Sequence, residues 1–237
     1  MKAAGLSQNQ LKIIAVISMT IDHIGYILFP KLLILRIIGR IAFPIFAYSL
    51  YEGAKYTRRP IAYLLRTGGL GLVCLLAYYW YDERLYGNVL ITFFLSLCML
   101  LSLRFLKENF REKNRRKTVL FALLFVGSVA LTVLTCQLMR VDYGLVGCLL
   151  PLFAALCDWQ TDHSRWQGYP LIGFSLGLLL LSADQGSIQY YSLLSLPLLM
   201  LSSHRRGTAK MKYFFYIYYP LHLLVLEGLK VGIQWLR

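Results

Sequence analysis

Asp22 and His23 stand side by side about 11 residues into an apolar run that begins near Leu11. At about 1.5 Å per helical residue this places them roughly 16 Å along the helix, close to the depth of a bilayer midplane. Ionisable groups are costly there and mark functional positions by default. Histidine, with an unperturbed pKa of about 6.5, is suited to taking and returning a proton near neutral pH. Neighbours on a helix point about 100° apart, so Asp22 need not orient His23 and is free to face another helix, an arginine being a natural partner. A satisfied core histidine is the bland alternative.

Arg36 and Arg40 follow, four residues apart and so expected on one helical face. Two like charges in hydrocarbon require either a neutralising carboxylate or an anion to grip, such as a phosphate. Asp22 is the nearest carboxylate in the chain, and both readings stay open. Snorkelling to headgroups is a third option for Arg36. A second histidine at membrane depth, His222, lies just past Pro220 in the aromatic segment KMKYFFYIYYPLHLLVLEGLK. Its tyrosines, Tyr216 and Tyr218 among them, also suit an interfacial belt.

These residues sit in a chain that is 58% hydrophobic and 15% charged over 237 residues, too apolar for an ordinary soluble domain. Apolar stretches run over about Leu11–Phe29, Leu32–Tyr51, Ile61–Tyr81, Val89–Leu106, Val119–Leu138, Tyr143–Cys157, Tyr169–Ala183, Ile188–Ser202 and Tyr213–Leu236. They predict an all-α bundle of about nine transmembrane helices, with a tenth helix, a re-entrant segment or a merged pair as alternatives, forming a single integral membrane domain over 1–237. The first stretch lacks a small-x-small cleavage site and reads as a retained helix. Pro44 and Pro220 are expected to kink or unwind their helices.

The net charge of +14 is concentrated in alternate loops, Lys55–Arg59, Arg104–Lys117, Asp158–Arg165 and Ser203–Lys212. The opposite loops hold only Lys31, Arg84 and Arg140, with Arg237 at the terminus. That asymmetry is the positive-inside pattern and predicts a multi-pass protein of the inner or plasma membrane with its N-terminus in the cytoplasm. It accounts for the basicity without nucleic acid. Asn88, Thr92, Asp142 and Asp184 fall on the other side, as loop or helix-cap residues or as site residues. The five cysteines lie in or beside apolar segments with no CxxC pair, and are expected to pack rather than bind metal or form disulfides.

With these segments assembled, the chain resembles the TraX family, named for a conjugation-system protein that N-acetylates pilin. The resemblance rests on TIDHIG (Thr20–Gly25), GRIAFPIFAYSLYEG (Gly39–Gly53), the basic turn and third span over Thr57–Arg66, the Asn88–Thr92 helix start, DYGLVG (Asp142–Gly147) and YFFYIYYPLHL (Tyr213–Leu223). Lys12 followed by His23 on the first span also resembles the broader transmembrane acyltransferases, including the heparan-α-glucosaminide acetyltransferase type. There an acyl-CoA on the cytoplasmic side acylates an acceptor on the far side.

By that resemblance the chain is expected to be an acyl-CoA-dependent O- or N-acetyltransferase, with His23 as general base and Asp22 in support. The donor is acetyl-CoA, and no metal is expected. Arg36 and Arg40 are candidates for holding CoA phosphates or an anionic acceptor. Arg58, Arg59, Lys210, Lys212 and Tyr216 are candidates for the nucleotide end at the cytoplasmic mouth. Asn88, Asp142 and His222 are expected on the acceptor side or behind the base. The acceptor is a protein N-terminus, a glycan or a lipid, and self-association is compatible with the sequence. A secondary transporter or lipid flippase is the rival reading, since it too needs buried charge and broken helices. A non-enzymatic membrane scaffold is a third.

Overall fold

The computed structural model describes residues 5–83, 85–158, 168–203, 207 and 212–235. Ten α-helices form among them: α1 Gln8–Ile27, α2 Leu33–Gly39, α3 Ala42–Tyr56, α4 Pro60–Asp82, α5 Val89–Arg111, α6 Arg115–Leu138, α7 Gly144–Leu156, α8 Gly168–Gln185, α9 Ser195–Met200 and α10 Lys212–Trp235. The all-α expectation holds, apart from one parallel pairing of two-residue strands, Tyr86–Gly87 with Arg140–Val141. Four segments are long and apolar enough to cross a membrane: α2 and α3 taken together, α4, α5 and α6. The chain divides into two compact units, 1–49 with 182–237, and 50–181.

In the first unit α1 starts with a capping box, in which the Ser7 side chain accepts from the Gln10 amide while Gln10 Oε1 accepts from Ser7 N. α2 packs along α1 at close range. A Cβ added at Gly25 would meet the Leu35 side chain, and one added at Gly39 would collide with Asp22. Small residues at both crossings let the backbones approach as they do in membrane bundles.

The second apolar stretch is not one continuous helix, because α2 ends at Gly39 and α3 begins at Ala42. Pro44 explains the position of the break: its ring occupies the place a helix would need for the carbonyl four residues back, that of Arg40. Within α3 itself Pro44 lies in the first turn, where the missing N–H costs nothing. Ile38 O, which a straight helix would pair with the residue 42 amide, instead accepts from Ser18 Oγ of α1 at 2.6 Å.

Two other expectations are corrected. Pro220 does not break its helix into separate pieces, since α10 runs through it as a single element of 24 residues. The stretch Ile188–Ser202 is not an α-helical span; it forms a 3₁₀ helix, Ser187–Leu194, followed by the short α9. That run carries serines at 187, 192 and 195, whose side chains compete with the backbone for hydrogen bonds and weaken an α-helix.

The second unit is built around α5, which packs against α4, α6 and α7. Its interior position fits its buried Phe93, Leu95, Leu97, Met99 and Leu100, whereas α6 leaves Val119, Leu120, Leu123, Leu124 and Val126 exposed. An outward apolar face of this kind suits contact with lipid. Cys74 and Cys148 are buried, while Cys98, Cys136 and Cys157 are half-buried, and all five are free thiols.

Candidate functional site

The polar centre of the first unit is assembled from four elements. Asp22 on α1 is buried, and its carboxylate takes hydrogen bonds from two guanidiniums. Arg36 Nη1 donates to Oδ2 at 2.7 Å, and Arg40 Nη2 donates to Oδ1 at 2.7 Å and Oδ2 at 2.8 Å. The structure therefore joins Asp22, Arg36 and Arg40, resolving the carboxylate partner that the arginine pair requires. Arg40 stands at the C-cap of α2, outside the regular helix, yet its Nε still donates to Arg36 O and holds it in register.

Among the described residues, one carboxylate stands against two guanidiniums in this cluster. Arg40 Nη1 also donates to Gln189 Oε1 at 3.2 Å, from the 3₁₀ helix. Gln189 is buried, and its Nε2 has no hydrogen-bond partner among the described residues. Arg36 lies over the Tyr26 ring, 5.1 Å from its centroid. Sequence reasoning missed Gln189 because its segment reads as an ordinary span. A polar residue flanked by Gly186 and several serines was the available signal.

Among the described residues the hydrogen-bond contacts of His23 lie with α1 and α10 rather than with the guanidiniums. Its Nδ1 lies 3.0 Å from Met19 O and 3.1 Å from Nε2 of His222, which α10 supplies. His222 is buried and stacks nearly parallel on the Tyr218 ring, with centroids 5.2 Å apart. The Tyr218 hydroxyl meets Thr20 Oγ1 on α1 at 2.6 Å. Tyr218, readable from sequence only as part of an aromatic belt, is thus built into the histidine pair. Lys12, the basic residue eleven positions before His23, lies with its Nζ 5.9 Å from the Phe215 ring centroid.

The remaining sequence candidates are placed as follows. Asn88 caps α5, its Oδ1 accepting from Leu90 N and Ile91 N while its amide donates to Gly71 O. Asp142 accepts from the Tyr86 hydroxyl, and its carbonyl accepts from Thr92 Oγ1. Both work within the second unit as cap and strand-end residues. Arg58 and Arg59 are exposed in the turn between α3 and α4. Tyr216 is half-buried on α10. Lys212 begins α10 but its side chain, like Arg84, Lys210 and most of the basic loops over 158–165 and 203–212, lies outside the described residues.

A second charged region lies in the second unit, around a cavity of about 260 Å³ lined by Tyr51, Lys55, Arg104, Lys107, Arg111 and Asp158 among others. Lys55 Nζ and Tyr51 Oη both reach Asp158 Oδ2 at 2.7 Å. Arg104 Nη1 donates to Ala54 O and Thr57 O at the end of α3, and Lys107 Nζ to Ala155 O and Asp158 O at the end of α7. Cations placed on helix C-termini satisfy orphan carbonyls and complement the helix dipole. Burial pushes the Asp158 carboxyl up, but the Lys55 ammonium and the Tyr51 hydroxyl outweigh it and hold it below the usual carboxylate range.

Four long apolar segments among the described residues, and an ion-paired, histidine-bearing centre within the first unit, fit the class of helical membrane proteins with a built polar site. The profile of the TraX protein family matches residues 7–230, and the chain belongs to that family. It is 27% identical to the probable fimbrial assembly protein FimC, serogroup H1, of Dichelobacter nodosus, over 96% of this chain and 97% of that protein. It is 41% identical to an uncharacterized protein of Rickettsia prowazekii (strain Madrid E) over 38% of this chain and 35% of that one. No solved structure matches.

Proposed function

We propose that this protein is a membrane-embedded acetyltransferase that uses His23 as general base and acetyl-CoA as donor. The observation that carries the reading is the half-buried His23, held by a second histidine and adjacent in sequence to the buried Asp22, whose carboxylate faces the half-buried Arg36 and Arg40. His23 removes the proton of an acceptor amine or hydroxyl as it attacks the thioester carbonyl. The two guanidiniums suit a CoA phosphate or an anionic group on the acceptor. Membership of the TraX family supports acetyl transfer. The relative named for fimbrial assembly makes the N-terminal amine of a pilin-like subunit the first acceptor to test. In this reading the protein lies in the inner or plasma membrane, and its basic loops face the cytoplasm where acetyl-CoA is available.

The test is consumption of radiolabelled acetyl-CoA by the purified protein in proteoliposomes, with and without a pilin-like peptide. Wild type is expected to transfer label and His23→Ala to lose at least about 100-fold in rate. An equal rate in the variant removes His23 from the chemistry. Absence of any acetyl-CoA consumption by the wild type favours the transporter reading.

A further inference from the structure

The two histidines are separated by 199 positions in sequence, yet their rings meet at 3.1 Å, and the surrounding acceptors decide where each proton sits. A backbone carbonyl only accepts. His222 Nδ1 lies 2.9 Å from Tyr218 O, so Nδ1 of His222 carries the proton and its Nε2 presents a lone pair. That lone pair faces His23 Nδ1, which also lies 3.0 Å from Met19 O, again a pure acceptor. His23 Nδ1 must therefore be the protonated nitrogen, shared between the two acceptors. This leaves His23 Nε2 bare, and it has no partner among the described residues. Both tautomers follow from the same chain of contacts, with no conflict at either ring.

The second ring is itself fixed. Thr20 Oγ1 spends its only proton on Val16 O at 2.8 Å, so the 2.6 Å contact with Tyr218 is one in which the tyrosine hydroxyl donates. The anchored Tyr218 ring then lies against His222 at an interplanar angle of 8°. Met19 O alone is a poor substitute for His222, because it already serves the i→i−4 ladder of α1. A neutral imidazole nitrogen with a free lone pair is the stronger acceptor for a ring about to become cationic.

We infer that His222 is the positioning residue of a His–His relay, which holds His23 as the Nδ1–H tautomer with Nε2 as the reacting base and supports the imidazolium that forms. The inference rests on the acyl-transfer reading for its catalytic half. In the forward step the acceptor N–H or O–H proton passes to His23 Nε2 as the acceptor atom bonds to the thioester carbonyl carbon. The C–S bond then breaks, and the CoA thiolate takes the proton back from His23 Nε2, leaving acetylated acceptor and free thiol. Throughout, the positive charge on His23 is stabilised by its Nδ1–H bond to His222, which remains neutral.

Nitrogen-15 spectroscopy on histidine-labelled protein tests the geometry without reference to turnover, and the chain has only four histidines to assign. His23 and His222 are both expected to show a protonated Nδ1 and a bare Nε2, the opposite of the tautomer that a free neutral histidine side chain prefers. A protonated Nε2 on either ring overturns the relay. In acetyl-transfer assays His222→Ala is expected to lower kcat about 100-fold with KM for acetyl-CoA unchanged. His222→Gln, whose amide oxygen restores an acceptor to His23 Nδ1, is expected to recover most of that loss. Unchanged kcat in His222→Ala, or no rescue by Gln in a variant that folds, overturns the catalytic half. If the wild type consumes no acetyl-CoA, acyl transfer falls, and the tautomers still decide whether the histidine pair is built as described.

Discussion

In the first unit one carboxylate, Asp22, answers two guanidiniums, whereas in the second Asp158 answers one ammonium and one tyrosine hydroxyl. The second region is saturated. Its nearby Arg104 and Lys107 turn to helix-end carbonyls, so each cation has an evident structural task. Among the described residues the first region sets two guanidiniums against one carboxylate and holds a buried amide nitrogen, Gln189 Nε2, that lacks an acceptor. The difference teaches where to look for chemistry. A charge cluster that closes on itself holds a fold together, and one that does not is ready for a ligand.

The largest effect expected from breaking this contrast is at Asp22. Asp22→Ala leaves two guanidiniums facing each other at low exposure, and is expected to cost about 3–5 kcal/mol in a denaturant titration in detergent. Gly39→Ala comes next, at about 3 kcal/mol, because its new Cβ collides with the same carboxylate. It is expected to reduce acetyl transfer as well, since it displaces the charge cluster without altering any charge.

In the second region Asp158→Asn is expected to cost about 2 kcal/mol while leaving acetyl transfer at the wild-type rate. Equal losses of turnover in Gly39→Ala and Asp158→Asn would erase the distinction between the two regions. The same residue gives a pH signature. A folded-state pKa held below the unfolded value, about 3.9, means that its stabilisation is complete above that pH and is lost as pH falls through the folded pKa. Acid titration of the unfolding midpoint in wild type and Asp158→Asn checks this, the two curves converging at the acid end. The smallest effect is expected at Arg104→Ala, about 1 kcal/mol from the exposed end of α3, read as a shift in the same midpoint.

The ion triad was largely legible in the sequence, because two arginines four residues apart at membrane depth demand an anion and Asp22 is the nearest one. What the spacing did not reveal is that the helix carrying them ends at Gly39, with Arg40 held in place by a side-chain bond rather than by the ladder. The cap at Asn88 was visible as an alternative, and its side chain does cap α5. The histidine pair was illegible: each histidine could be flagged from its own span, but nothing local says that spans at the two ends of the chain pack together. Gln189 was hidden for a related reason, since an apolar run with serines scores as a span whether it winds as an α-helix or as a 3₁₀ helix.

The meeting of α1 and α10 has a consequence for how the molecule is made. A chain emerging from the ribosome inserts His23 first and must carry it through the synthesis of almost every other segment before its partner arrives. Until α10 docks, His23 lacks the neighbour that fixes its proton, so under the proposed acyl transfer a chain that stops before His222 is expected to be inactive.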